Sequence, residues 1–257
     1  MSVISPDRVT PIERRGDIWM KRDDLFEVRG LRGGKVRTCL HLATTGQGTR
    51  LVTASSRHSP QAAITAAVAS ELGLSARAYV PAGDMTPQLE HAEALGCELV
   101  RVRPGYNTVV ASRARVDAFD SRQTHIPFGM ECEEAVEMTS RQVRYLPDFV
   151  RRIVVPVGSA MSLCGILRGL RRHGDMDTRI VGVQVGADPL PRIERYADPF
   201  WQAQITIVKS PLSYHDAFPK PTLHGVTLDA VYEAKCIPYL QPDDLLWVVG
   251  VRPTGSV

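Results

Sequence analysis

From residue 50 onward, short apolar, β-rich runs alternate with longer stretches of helical period. LVTAS (51–55) precedes SPQAAITAAVASELG (59–73), which reads as an amphipathic helix with Ser59 at the N-cap and Pro60 at the first helical position. ARAYVPA (76–82) is a strand, TPQLEHAEALG (86–96) a helix with Thr86 as N-cap and Pro87 behind it, and CELVRV (97–102) a strand again. Tyr106 to Arg122 has helical period, and THIPFG (124–129) reads as the next strand. This β-α-β alternation is the signature of a parallel sheet covered by helices.

The pattern continues with a helix over 131–146 and the apolar run RRIVVPVG (151–158), a strand of the kind buried on both faces. A turn, SAMS (159–162), leads into the helix LCGILRGLRRHG (163–174), and RIVGVQVG (179–186) is one more buried strand. Between 187 and 221 the periodicity fails, because six prolines interrupt it. LDAVYEAK (228–235) is expected to be helical and LLWVVGV (245–251) a strand. Before residue 50, residues 1–16 are a polar entry segment and Asp17 to Arg22 a strand. Gly33-Gly34 then makes a turn into a helix over Lys35 to Ala43.

Composition narrows the classes. The 257 residues are 44% hydrophobic and 23% charged, ordinary for a globular chain with a sizeable core. A net charge of +3 does not by itself argue for nucleic acid. The five cysteines are scattered and form no CxxC pair, and the seven histidines show no HxH or HExxH spacing, so neither a disulfide framework nor a metal site is expected. No run reaches membrane-spanning length, and a reduced, cytoplasmic location is expected.

Three strand-to-helix turns carry the candidate chemistry, since ligands of open parallel sheets bind beyond the strand C-termini. The first holds Lys35. A helix N-terminus and burial both disfavour an ammonium there, leaving an amine suited to Schiff-base formation. Lysine occurs only at 21, 35, 209, 220 and 235, so few residues compete for that role. The second turn, with Ser55, Ser56, Arg57 and His58, offers hydroxyls and backbone N–H groups to an anion such as a substrate carboxylate. The third, Gly158 to Ser162, points N–H groups at the start of a helix but lacks the glycine density of a P-loop. Glu131, Glu133, Glu134 and Glu137 read as a solvated helix face, and Asp23-Asp24 lacks further metal-ligand partners.

Taken together, KRDD (21–24), GGKVR (33–37), SSRHSPQAA (55–63), GSAMS (158–162), HGVTLDAVYEAK (224–235) and RPTGS (252–256) stand in the order of motifs in the fold-type II pyridoxal-phosphate enzymes. The chain resembles the branch holding 1-aminocyclopropane-1-carboxylate deaminase and D-cysteine desulfhydrase. The resemblance implies two open parallel-sheet α/β domains with pyridoxal 5'-phosphate in the interdomain cleft. Residues 1–47 and 131–257 would form the cofactor domain and 48–130 a smaller inserted one. It implies Lys35 as the internal-aldimine lysine, the amides of Gly158, Ser159, Ala160, Met161 and Ser162 on the phosphate, and Thr254 facing the pyridine nitrogen. Ser56, with His58 and Tyr214, is assigned to the substrate. Arg57 stands where the branch has an asparagine beside the cofactor's phenolic oxygen, Ala160 and Met161 stand in place of glycines, and His224 replaces a glutamate. A homodimer is usual in the superfamily.

The resemblance implies a lyase-type enzyme acting on an amino acid or a derivative by elimination, deamination or decarboxylation. An alternative is a phage-type enzyme acting on an amino acid attached to a modified DNA base, with phosphate contacts from Arg101, Arg103, Arg113, Arg115, Arg122, Arg151, Arg152, Arg171 and Arg172. A third is a non-catalytic relative that keeps the fold as a binding module.

Overall fold

The structure, a computed structural model, describes residues 4–103 and 105–250. It opens with an antiparallel hairpin, β1 (Ile12–Arg15) and β2 (Ile18–Arg22), followed by a short 3-10 turn at Asp23–Leu25. The chain then divides into two compact units, one holding Glu27–Glu131 and the other Asp7–Phe26 with the described chain from Cys132 onward.

The first unit begins with the small ladder of β3 (Glu27–Val28) and β4 (Leu31–Arg32). It continues through α1 (Gly34–Thr45), β5 (Arg50–Ala54), α2 (Gln61–Glu71), β6 (Ser75–Pro81) and α3 (Pro87–Ala94). It closes with β7 (Cys97–Val102), α4 (Asn107–Asp120) and β8 (Thr124–Ile126). The sheet runs β7-β6-β5-β8 with every pair parallel, so the loops after these strands all emerge at one edge. Contacts set the first boundary at 26/27 rather than at 47/48. The reason is packing: buried Val36, Cys39 and Leu40 lie on α1, which packs against α2.

Two local expectations for α2 are corrected. It is not amphipathic, since every residue from Gln61 to Ala69 is buried. With α1 and α3 on its flanks and β5 and β6 beneath, α2 has no broad solvent face left, and small alanines allow that close packing. Pro60 occupies the N-cap, and Ser59 Oγ instead accepts from the Gln61 N–H at 3.3 Å. In α3, Thr86 is the N-cap as expected, its hydroxyl accepting from the Leu89 N–H at 3.4 Å. Gln61 is a buried hub that the sequence did not mark. Its amide donates to Thr53 Oγ1 (2.8 Å) and the Pro127 carbonyl (2.7 Å) and accepts from the Gly129 N–H (2.7 Å), tying together the loops after β5 and β8.

The second unit adds α5 (Glu133–Val143), β9 (Arg152–Val157), α6 (Met161–Arg172) and β10 (Arg179–Gln184). After them come α7 (Leu190–Tyr196), β11 (Ile205–Lys209), a β12–β13 hairpin (Thr222–Leu223, Val226–Thr227) and β14 (Leu245–Val248). Its sheet is ordered β1-β2-β14-β9-β10-β11, parallel throughout except for β1. The irregular stretch thus holds a seven-residue helix and an edge strand in register with β10. Short elements between prolines leave little periodicity to read. LDAVYEAK is not an α-helix. Asp229 Oδ1 accepts from the Val231 N–H at 2.8 Å, a local bond that competes with helix formation, and Glu233–Tyr239 is a 3-10 segment containing Pro238.

KRDD serves this second fold unit. The buried Lys21 ammonium donates to the Thr10 carbonyl (2.5 Å) and Gln142 Oε1 (3.1 Å), and Asp23 accepts from the Thr10 hydroxyl (2.7 Å) and Trp247 Nε1 (3.2 Å). Arg22 grips buried Asp24 in a two-bond fork of 2.9 and 2.8 Å.

No helix among the described residues is long and apolar enough to cross a membrane. All five cysteines are free, and burial pushes the thiols of Cys39, Cys97, Cys132 and Cys164 up to about 12 and that of Cys236 well upward. A raised thiol keeps its proton at pH 8, so a disulfide reagent is expected to label the native protein slowly and all five sites rapidly in denaturant. Rapid labelling of the native protein would contradict this burial.

Candidate active site

In the first unit, Gly33 is the N-cap of α1 with φ 111°, a left-handed conformation that favours glycine. This turn puts half-buried Lys35 in the first turn of a helix anchored by buried Val36, Arg37, Cys39 and Leu40. The other lysines are placed differently. Lys21 and Lys235 are buried, the latter donating to the Ser213 carbonyl at 2.6 Å, while Lys209 and Lys220 are exposed on the surface. Lys35 alone combines partial burial with a helix N-terminus.

The loop after β5 is held by its own backbone. The Ser55 N–H donates to the Tyr79 carbonyl (3.0 Å), and the Ser59 N–H donates to the Ser56 carbonyl (3.2 Å) in a tight turn. Ser56 is half-buried and His58 exposed. Arg57 turns toward the next loop, where its Nη1 donates to the Asp84 carbonyl at 3.3 Å.

In the second unit, Gly158 to Ser162 follows β9 and enters α6. Ala160 is the N-cap with φ 64°, in the left-handed region, so the turn keeps a conformation that favours glycine without having the glycine. Ala160 and Met161 are each 4% exposed and join the hydrophobic core. The Cys164 N–H donates to the Ala160 carbonyl, so the preceding N–H groups of the helix start have no intrahelical acceptor. Arg171 and Arg172 in the last turn complement the same dipole.

Tyr232, which the sequence did not single out, lies over this turn. A Cβ on Gly158 would come within 2.6 Å of its hydroxyl, and burial pushes its phenol well upward. Tyr214 lies beside Gly186, just beyond β10, and meets His215 edge-on at 5.2 Å. His224 is elsewhere: at the β12–β13 turn its Nε2 is 3.2 Å from Asp17 Oδ1, at the N-terminal end of β2 and so at the sheet edge opposite Gly158. Thr254 lies outside the described residues. Glu133 pairs with Arg168 (2.7 Å), and Glu137 with Arg172 (2.7 Å) and Arg141 (3.2 Å), so these two glutamates of α5 are ion-paired. Among the described residues, no group of three or more His, Cys, Asp or Glu is placed to hold a metal.

Relaxing the turn tests its strain. Ala160→Gly is expected to raise unfolding stability by about 1 kcal/mol, because a left-handed residue with a Cβ carries a penalty of about that size. A denaturant midpoint that does not rise would show the turn is unstrained.

The two parallel-sheet α/β units have the fold of the fold-type II pyridoxal-phosphate enzymes. Residues 5–213 match the family described as pyridoxal-phosphate dependent enzyme; the chain belongs to that family, and pyridoxal phosphate is its cofactor. An ACC deaminase homologue of known structure has the same fold (TM-score 0.81, 20% identity), over 96% of this chain and 91% of that one. So does a threonine deaminase from T.th. (TM-score 0.70, 14% identity), over 98% and 94%. The O-seryl-dTMP PLP-dependent decarboxylase of Salmonella phage ViI is 23% identical over 190 residues, 63% of this chain and 45% of the phage protein. The match thus spans less than half of that relative.

Proposed function

We propose that the protein acts on an amino acid or amino-acid-derived substrate by lyase-type chemistry, in which elimination, deamination or decarboxylation begins with breakage of a bond at Cα. The observation that carries this reading is Lys35: a half-buried amine at a helix start, in a family that works through pyridoxal phosphate. When bound, the cofactor supplies the electron sink for the carbanion left at Cα.

The residues fit that group. Amides of Gly158 to Ser162 are proposed to receive its phosphate at the positive end of α6, where Ala160 and Met161 pack into the core and the Tyr232 hydroxyl lies against Gly158. Lys35 holds the cofactor through its amine and later carries a proton at Cα. Ser56 and His58, ahead of α2, hold the substrate carboxylate, with Tyr214 as a further substrate contact. The Thr254 hydroxyl is proposed beside the pyridine nitrogen. The proposed assembly is a homodimer.

A second reading, an amino acid joined to a nucleotide, is favoured by the phage relative, whose name gives that type of substrate. The experiment offers the cofactor-loaded protein free amino acids in one arm and serine joined to a thymidine nucleotide in the other. Ammonia, oxo acid and carbon dioxide are measured. Turnover in the first arm supports the leading reading and turnover in the second arm alone supports the other. No product and no change in the cofactor's spectrum with any amine would overturn both.

A further inference from the structure

The nine arginines considered for phosphate contacts do not share one situation. Arg152 pairs with Asp244 and Arg172 with Glu137, while Arg151 and Arg171 donate to backbone carbonyls within the second unit. Arg101 and Arg103 differ. They lie where β7 ends, at the sheet edge that also carries the Ser55–Ser59 loop, because β5, β6 and β7 are parallel.

Arg57 joins them. Arg101 Nη1 donates to the Gly83 carbonyl at 2.6 Å and Arg57 Nη1 to the Asp84 carbonyl at 3.3 Å, so two guanidinium groups converge on one loop. Gly83 has φ 148°, and a Cβ there would sit 2.5 Å from Arg57 Nη1. The loop is thus shaped around the arginine. Each of these guanidinium groups has five N–H donors and uses only one or two of them on the loop. Among the described residues, Arg57, Arg101 and Arg103 have no carboxylate within ion-pairing distance. Tyr106, at the start of α4 on the same edge, is 72% exposed.

Unpaired guanidinium groups on the same sheet edge as an exposed aromatic ring match a phosphate and a base. We propose that this rim binds the nucleotide portion of a nucleotide-linked amino acid. Arg101, Arg103 and Arg57 contact phosphate, Tyr106 stacks on a base, and the adjoining serine loop takes the amino-acid end. The proposal rests on the second functional reading above and names the residues that would make it work.

The test uses the full-length, cofactor-loaded protein and fluorescence anisotropy with a labelled oligothymidylate, with dTMP as competitor. Binding is expected to weaken with salt, with a log–log slope of about −2 for three phosphate contacts to a single strand. Arg101→Ala/Arg103→Ala is expected to weaken binding about tenfold or more and to flatten the slope by about one unit or more. Tyr106→Ala is expected to weaken it about tenfold with the slope unchanged. Arg179→Ala/Arg195→Ala, the same charge change in the second unit, should leave binding as it was. Competition by dTMP at concentrations comparable with the oligonucleotide would identify a free nucleotide as ligand; competition only at far higher concentrations would identify a DNA strand. No binding of either probe, or equal weakening by the control pair, overturns the proposal. The cofactor's visible band is read in the same samples. Its absence would count against the functional reading above, while the titration would still decide the fate of the rim.

Discussion

Lys35→Ala is expected to abolish the visible band of covalently held cofactor and to lower any turnover by about a thousandfold or more, the scale on which a positioned acid–base group contributes. The variant should still fold. Alanine is the best helix former, Lys35 is only half-buried, and removing a cation from the first turn of α1 lessens its conflict with the dipole. Unchanged far-ultraviolet circular dichroism would establish this. Lys209→Ala and Lys220→Ala remove exposed lysines and should keep the band. Hydride reduction of the loaded protein followed by peptide mapping supplies a readout independent of turnover. A cofactor-labelled peptide containing Lys35 is expected. A band that survives in Lys35→Ala, or label on another lysine, would remove Lys35 from the mechanism.

The second large effect concerns stability. Asp23→Ala removes the acceptor for the Thr10 hydroxyl and the Trp247 indole N–H, both buried, and leaves two buried donors without their charged partner. Each buried hydrogen bond lost to a charged acceptor costs about 1.5–2.5 kcal/mol, roughly 3–5 kcal/mol for the two together, because the donors stay buried and unsatisfied. At about 2–4 °C per kcal/mol for a chain near this size, Tm should fall by roughly 6 to 20 °C. Differential scanning calorimetry of the cofactor-free protein measures this without interference from ligand binding. A fall of less than a degree or two would mean that KRDD is not a structural motif, and a direct role of Asp23 in chemistry would then have to be considered.

These two predictions separate motifs that the sequence presents alike. GGKVR and KRDD are both short, charged and near a strand end, yet one leaves its lysine half-buried at a helix start and the other buries its lysine completely. Burial is set by what comes to cover a residue. Trp247 and Gln142 reach Lys21 and Asp23 from more than a hundred positions away, so no local pattern records them. The same holds for Gln61, whose partners Pro127 and Gly129 arrive with β8.

Local chemistry determined a good deal by itself. The strands β5, β6, β7, β9, β10 and β14, the N-cap of α3 and the glycine turn before α1 follow from side-chain periodicity and turn residues within a few positions. The order of motifs carried the family, and with it the cofactor. Only the tertiary structure decided the rest. It showed that α2 is buried all round, that a strand forms among the prolines at 205–209, and that the Ala160 turn keeps a glycine-like conformation while its side chain packs in the core. It also separated the ion-paired arginines from those left unpaired at one sheet edge. The physical reason is common to all of these. Periodicity encodes how a segment prefers to fold on its own, whereas burial, ion pairing and the exposed edge of a sheet depend on which distant segments come to lie beside it.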